Sequence, residues 1–320
     1  MLGCGEAADA LAARAMLRVG EGKFDAAWQD LLACHRLGRL FRRGGTFTEP
    51  IVEIAIDRIA SNAELAYLER ADLTAVQVRD RLKDLQGLPP TPPWADKVDL
   101  CQRFDFLATV EQIRRGGVDP SDYLSGFASF KIPDADMEKS MAAIDWAPAL
   151  RNGNVWYDRM VIALRLKDRA ERQKELDKIE RDLKTLEAAA RPLWNAIPIL
   201  LGKDSPATKA GKLIGDRLIP VRMRLASDLQ QLCDRDEQVQ RNVQVAFALA
   251  SYRRDQGKYP VRLGDLAPKY LAPVPEDLFA GGPLAYRPAD NGYLLYSVGA
   301  NGKDDGGRTF DDRPRGDDLP

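Results

Sequence analysis

The feature that most constrains this chain is a change in sequence pattern at Gly257. Before that residue, apolar side chains recur every three or four positions over long stretches, which is the spacing of one buried helical face. After it, prolines interrupt the chain at positions 260, 268, 273, 275 and 283. Proline removes a backbone donor and restricts the residue before it, so no long helix is expected there. The pattern predicts a mainly α-helical chain with a small, non-helical C-terminal part.

The first 88 residues show the spacing of helical hairpins. The predicted helices cover residues 6–19, 24–43, 50–70 and 74–86. The stretch from Gly22 to Cys34 resembles one tetratricopeptide unit, with the small residue Ala27 where two helices approach closely. No second copy follows at the ~34-residue period of such repeats. We therefore predict a tetratricopeptide-like helical hairpin in region 1–88 and leave a true repeat array as an alternative.

A cluster of four prolines separates this region from a second one. The prolines stand at positions 89, 90, 92 and 93, and the second region covers residues 94–216. The apolar spacing predicts helices over 95–115 and 155–190, arranged as a helical bundle. Between them, the segment 116–154 is rich in glycine, proline and aromatic residues, and we expect it to be irregular.

The third region, 217–320, combines a long helix with short strands. The helix is predicted from Pro220 to Gln256, where Gly257 suits a left-handed C-terminal residue. Two short strand candidates, 284–288 and 293–297, lie on either side of Asp290-Asn291-Gly292. Those three residues favour a hairpin turn. The last twenty residues are rich in glycine and aspartate.

The overall charge and hydropathy exclude several classes of protein. The chain has 47 Lys and Arg against 48 Asp and Glu, a formal net charge of −1, whereas nucleic-acid binders carry a basic excess. No apolar run approaches the ~18 residues of a membrane span. The N-terminal residues also lack the basic and apolar segments of a signal peptide. We predict no nucleic-acid partner and no membrane span in this chain, and leave open an anchor lost upstream of Met1.

The chain has one histidine, His35, although histidine is the commonest general base and metal ligand. Its neighbour Cys34 points about 100° away on a helix, so the two do not form a nucleophile–base pair. The four cysteines lie far apart in sequence and are expected to be free thiols rather than zinc ligands. No phosphate-binding loop and no HExxH motif occurs. We therefore predict no catalytic residues.

The C-terminal third carries several motifs in a fixed order. The long helix closes on Tyr252-Arg-Arg-Asp255-Gln-Gly257-Lys-Tyr259-Pro260, a loop reads Pro275-Glu-Asp277-Leu-Phe-Ala-Gly281-Gly-Pro283, and the strands lead into Ser297-Val-Gly299-Ala-Asn301-Gly302. This order resembles the globular part of type II secretion major pseudopilins, the G-type pilin-like subunits, over residues 239–312. The fold class expected from all regions together is mainly α, with helical hairpins or a bundle. The expected fold also includes a small C-terminal α+β pseudopilin-like domain with a long helix and a short antiparallel sheet.

The same resemblance implies a calcium site in the loop that follows the strands. Family members hold calcium with backbone carbonyls near the serine, the aspartate of Gly-Ala-Asp-Gly and acidic residues at the end of the loop. The candidate metal ligands here are Ser297, Asn301, Asp304, Asp305, Asp311 and Asp312. Calcium prefers such carboxylate, amide and carbonyl oxygens, and Asp304 and Asp305 compensate for the charge that Asn301 lacks. A solvated acidic tail is the alternative interpretation.

With no catalytic motif found, the resemblance implies a non-enzymatic structural or protein-binding component of a bacterial envelope or secretion-related system, with protein partners and calcium. We expect it in the cell envelope or periplasm if an N-terminal anchor is missing from this chain, and in the cytoplasm otherwise. One alternative is a cytoplasmic helical-repeat adaptor with a concave groove over residues 11–86 and no calcium function. The second alternative is an enzyme that depends on a carboxylate-bound metal.

Overall fold

The computed structural model of the chain describes residues 2–115, 143–194 and 207–320. The chain divides into two compact units. The terminal unit combines residues 1–92 with residues 231–320, and the middle unit is formed by residues 93–230. The sequence predicted three consecutive regions instead. The difference arises because the two ends of the chain share one hydrophobic core, and local sequence patterns do not reveal such a pairing.

The terminal unit begins with four helices that agree with the predicted ranges. They are α1 (Leu2–Gly20), α2 (Phe24–Arg42), α3 (Thr48–Arg70) and α4 (Ala75–Gln86). The first three helices pack against one another as successive hairpins. The start of α4 is a capping box, in which Thr74 and Gln77 each accept a hydrogen bond from the other's backbone N–H. The helices predicted for this part of the chain are therefore confirmed, and their likeness to a tetratricopeptide unit stays a prediction.

The middle unit is also helical. It contains α5 (Trp94–Lys97), a π-helical turn (Val98–Gln102), α6 (Arg103–Arg114), α7 (Ala147–Leu164), α8 (Arg169–Trp194) and the first half of α9 (Ala207–Gln256). Residues 147–154, expected to be irregular, form the start of α7, where Pro148 suits the first helical turn. The remainder of the predicted irregular segment, up to residue 142, lies outside the described residues.

Two other helix predictions in the middle unit need correction. The single helix expected over 155–190 is divided into α7 and α8, because Asp168 accepts a hydrogen bond from the Glu171 N–H (2.8 Å) and starts a new helix there. The long helix α9 begins before Pro220 rather than at it. Its earlier turns bury Leu213 and Leu218, and this packing keeps the segment helical despite the proline.

The core of the terminal unit joins both ends of the chain. Trp28 of α2 packs on Tyr67 of α3 and on Phe247 of α9, with ring centres 5.5 and 5.6 Å apart. All three side chains are fully buried, and burying a large apolar side chain contributes about 1.5–3 kcal/mol. The same core includes Leu266 and Leu295 from the C-terminal segment. The C-terminal segment therefore folds against the N-terminal hairpins.

The C-terminal segment contains two pairs of short antiparallel strands. Strand β1 (Glu276–Asp277) pairs with β2 (Gly282–Pro283), and β3 (Ala285–Pro288) pairs with β4 (Tyr293–Tyr296). The second pair confirms the predicted hairpin. Helix α9 ends immediately before Gly257, whose φ of +75° favours glycine.

The coarse fold class is confirmed, since the chain is mainly helical with a small antiparallel sheet structure near its C-terminus. Among residues 2–115, 143–194 and 207–320, none of the helices combines the length and apolarity needed to cross a bilayer. Cys34, Cys101 and Cys233, whose side chains the structure describes, are free thiols.

Candidate functional site

The C-terminal loop is built on a buried carboxylate. Asp277 is 1% exposed and accepts hydrogen bonds from the Phe279 and Ala280 N–H groups (2.8 and 3.2 Å). It also accepts bonds from the Ser297 hydroxyl (2.8 Å) and from the Val298 N–H (3.0 Å). Asp277 thus ties the turn after β1 to the residues that follow β4. We call the segment 297–319 the closing loop, because Ser297 and Leu319 exchange two backbone hydrogen bonds and bring its ends together.

Three side chains meet in the middle of the closing loop. Asp305 accepts hydrogen bonds at Oδ2 from the Asn301 side-chain amide (3.1 Å) and from the Asp317 N–H (3.0 Å). Asp317 accepts a bond at Oδ2 from the Asn301 N–H (2.9 Å), and at Oδ1 from the Arg235 guanidinium of α9. The two halves of the loop are therefore joined through Asn301, Asp305 and Asp317.

The next residue, Asp318, closes the loop from inside. It is 1% exposed and accepts hydrogen bonds from the Asp305 N–H (3.3 Å) and the Gly307 N–H (2.7 Å), one at each carboxylate oxygen. Burial raises the pKa of Asp318, although these N–H donors oppose the shift. Asp304 points elsewhere, and the bonds from the Tyr296 hydroxyl and the Gly306 N–H lower its pKa.

Helix α9 holds the loop and strand β1 through two buried amides. The Gln238 side chain accepts a hydrogen bond from the Leu278 N–H (2.7 Å) and donates one to Asn242 (2.8 Å). Asn242 in turn donates to the Leu319 carbonyl (2.9 Å). The helix therefore fixes both the segment after β1 and the end of the closing loop.

The structure brings together only some of the predicted ligands. Asn301 and Asp305 are in contact, whereas Ser297 is buried against Asp277. Asp311 and Asp312 lie in the exposed outer part of the loop, where Asp312 accepts bonds from the N–H and hydroxyl of Thr309.

Sequence reasoning missed Asp277, Asp317 and Asp318. A signal was present for the last two, because they are the acidic residues nearest the end of the loop. Asp277 was part of a quoted motif, but the motif gave no indication of what its carboxylate contacts.

The donor chemistry of the closing loop suits calcium, since it offers carboxylate and amide oxygens. The arrangement does not. Asp277, Asp317 and Asp318 each direct both oxygens at donors of the chain itself. Within the part of the chain that the structure describes, no group of three or more His, Cys, Asp or Glu side chains is placed to hold a metal ion. As arranged here, the residues do not fit the implied site, and calcium binding stays a prediction.

A second set of charged side chains lies inside the hairpins, where sequence reasoning found no partner for His35. Its Nδ1 contacts Asp57 Oδ1 and its Nε2 contacts Glu64 Oε1, both at 2.8 Å, and all three side chains are fully buried. The imidazole of α2 is thus held between two carboxylates of α3. A helical-face comparison could have found this, because Asp57 and Glu64 share the buried face of α3 with Ala60.

Two arginines of α2 complete this group. Arg39 donates to Glu53 (2.9 Å) and Asp57 (2.7 Å), and Arg42 donates to Glu53 (2.8 Å). We call the six residues the ionic cluster; they are His35, Arg39, Arg42, Glu53, Asp57 and Glu64. Asp236 of α9 lies near it.

The pKa values of the cluster follow from burial and charge. Burial lowers the pKa of His35, but the Glu64 and Asp57 carboxylates outweigh burial and raise it to about 10. Burial alone would raise the pKa of Asp57, but its contacts with His35 and Arg39 outweigh burial and lower the pKa. For Asp236, burial and the nearby Asp57 and Glu53 charges raise the pKa to about 8. His35 is therefore a fixed imidazolium at neutral pH.

No protein-family model, curated protein or solved structure matches this chain. The resemblance to pseudopilins therefore stays a prediction.

Proposed function

We propose that the protein is a non-enzymatic structural or protein-binding component, related to a bacterial envelope or secretion system, with a pseudopilin-like C-terminal segment. The observation that carries this proposal is the use of its reactive side chains. In the terminal unit, His35, Asp317 and Asp318 bond to other groups of the same chain. These bonds hold helices and loop segments in place.

The state of His35 supports a non-enzymatic role. A general base must be neutral to accept a proton, and it must reach the substrate. His35 has a pKa raised to about 10, lies fully buried, and has a carboxylate at each ring nitrogen. The one histidine of the chain is thus suited to joining α2 and α3.

The core packing favours a structural component over the helical-repeat adaptor. An adaptor would use an open concave face of the hairpins over residues 11–86. In the terminal unit, Trp28 and Tyr67 on that part of the chain are fully buried, with Trp28 packed on Phe247 of α9. Helix α9 therefore covers the Trp28 side of these hairpins, which is not left open to a partner.

A positioned crosslinker tests this proposal. Phe310 is 61% exposed in the closing loop and Leu17 is 65% exposed on α1, so each can carry a photoreactive residue without opening the core. The full chain with either substitution would be produced in a bacterium that has type II secretion, and crosslinked proteins would be identified by mass spectrometry. We expect Phe310 to capture a component of the envelope or of the secretion assembly.

The Leu17 position is the matched control. Capture of cytoplasmic proteins through Leu17, with none through Phe310, would contradict the proposal and favour the adaptor. Turnover of a substrate by the purified chain would contradict the non-enzymatic assignment if it depended on the ionic cluster. In that case a cluster variant such as Glu64→Gln would lose the turnover, and an equally folded control variant would keep it.

A further inference from the structure

We propose that the closing loop is held shut by a cation of the chain itself, Arg235, together with backbone N–H groups, and that it needs no calcium ion. This inference does not depend on the proposed function. It rests on where the aspartates of the loop direct their oxygens, in a segment whose resemblance implies a metal site.

The first part of the argument is the pairing of Asp317. Its Oδ1 accepts a hydrogen bond from the Arg235 guanidinium, and its Oδ2 accepts one from the Asn301 N–H (2.9 Å). Side chains of the pair are partly buried, 32% and 16% exposed. A guanidinium stays charged at all ordinary pH values. It therefore supplies, from α9, the positive charge that a bound cation would supply.

The second part is the hydrogen bonding of the two other buried carboxylates. Asp318 and Asp277 are both 1% exposed, and each accepts hydrogen bonds from backbone N–H groups at both of its oxygens. Several N–H donors can stabilise a buried carboxylate in its charged form. These two aspartates are thus satisfied by the chain without a metal.

The third part is the close fit of the backbone around Asp317. Gly299 has a φ of +68°, and a Cβ atom there would lie 2.0 Å from the Asp317 carbonyl oxygen. Only glycine allows both this backbone conformation and this approach. Because the Asn301 N–H that bonds Asp317 comes two residues later, Gly299 places the carboxylate against its donor.

Hydrogen exchange and thermal unfolding of the full chain test the inference. Both would be measured in excess calcium chloride and in EDTA, for wild type and for Asp317→Asn. We expect wild type to be the same in both buffers. Asp317→Asn should exchange the amides of 299–307 about tenfold faster in both buffers, because a hydrogen bond to a charged group is lost.

Asp311→Asn is the matched control, since it removes one carboxylate from the same loop at an exposed position. We expect it to exchange like wild type. Arg235→Gln should reproduce the Asp317→Asn effect, and the double variant should be no worse than either single one. The control for this charge is Arg313→Gln, which removes an exposed arginine of the loop.

Two results would overturn the inference. One is a wild-type melting temperature or loop protection that is higher in excess calcium than in EDTA. The other is normal loop exchange in Asp317→Asn. If Arg235→Gln fails to fold, the wild-type calcium comparison and the Asp317 variant still decide the question.

Discussion

The ionic cluster and the closing loop are two acidic regions of the terminal unit, and they stabilise their buried carboxylates in different ways. In the cluster, Asp57 and Glu64 contact the imidazolium of His35, and all three side chains are fully buried. Asp318 of the closing loop, and Asp277 of β1 at the start of that loop, accept hydrogen bonds mainly from backbone N–H groups, although they too are buried.

The difference concerns the kind of partner on which each carboxylate depends, which is a charged side chain in the cluster and mainly the backbone at the loop. Removing one partner of a buried ion pair strongly destabilises a protein, because the other partner is left as an uncompensated buried charge. A carboxylate that accepts several N–H bonds has its stabilisation spread over the chain. Substitutions in the cluster should therefore destabilise the protein more than substitutions in the loop, and their effects should depend on pH.

The largest loss of stability is expected for His35→Leu. The variant leaves Glu64 buried without its cation and leaves Asp57 with Arg39 alone, and Glu64 Oε2 already has no hydrogen-bond partner among the described residues. Removing one partner of a buried pair costs about 3–5 kcal/mol in the free energy of unfolding. Urea unfolding measures this, with the exposed neighbour Arg36→Gln as the control. A loss no larger than that of the control would refute the comparison.

A smaller loss is expected for Asp277→Asn. The amide keeps the shape of the side chain but removes its charge, and it turns an NH₂ group toward N–H donors such as those of Phe279 or Val298. Hydrogen bonds to charged groups contribute about 1.5–3 kcal/mol. The same urea experiment applies, with the exposed neighbour Glu276→Gln as the control. If Asp277→Asn cost more than His35→Leu, the order of the two regions would be reversed.

Asp236→Asn is expected to cause no loss of stability, and its stability relative to the wild type is expected to rise as the pH increases. The folded state raises the pKa of Asp236 from 3.8 to about 8, so it retains a proton that the unfolded chain releases. Stability of the wild type therefore falls between these two values, and the asparagine variant lacks this slope. Unfolding across that pH window measures the difference, and Glu237→Gln on the same helix is the control. Parallel curves for variant and wild type would argue against it.

His35 adds a second slope with the same sign. Its pKa rises from 6.5 in the unfolded chain to about 10 in the folded one. Its contribution to stability is therefore complete below the first value and is lost as the pH rises through the second. The His35→Leu variant should lack this part of the curve. Between them, His35 of the cluster and the nearby Asp236 make the stability of the terminal unit fall as the pH rises.

Much of the fold could be predicted from local patterns. The apolar spacing placed α1 to α4, and Asp290-Asn291-Gly292 placed the hairpin between β3 and β4. Both signals arise within a few residues, so one sequence suffices to detect them. The start of α9 was misplaced, because a single proline outweighed the buried face formed by residues such as Leu213 and Leu218.

The sites could be predicted only in part. Asn301 and Asp305, both predicted as calcium ligands, lie in contact, but the acidic residue that joins them is Asp317 rather than the predicted Asp311 or Asp312. Spacing along a loop does not determine which acidic residues return to its base. That choice depends on Gly299 and on Arg235, which lies on another element.

By itself, the sequence determined the helical character of the chain, the end of its long helix at Gly257 and the position of its hairpin. These features follow from local backbone preferences and from the periodicity of burial. Only the tertiary structure decided that the two ends share a core, that His35 becomes a fixed imidazolium, and that Arg235 faces Asp317. The physical reason is that such pairings depend on how distant elements pack, and a charge acquires its meaning from the groups that surround it.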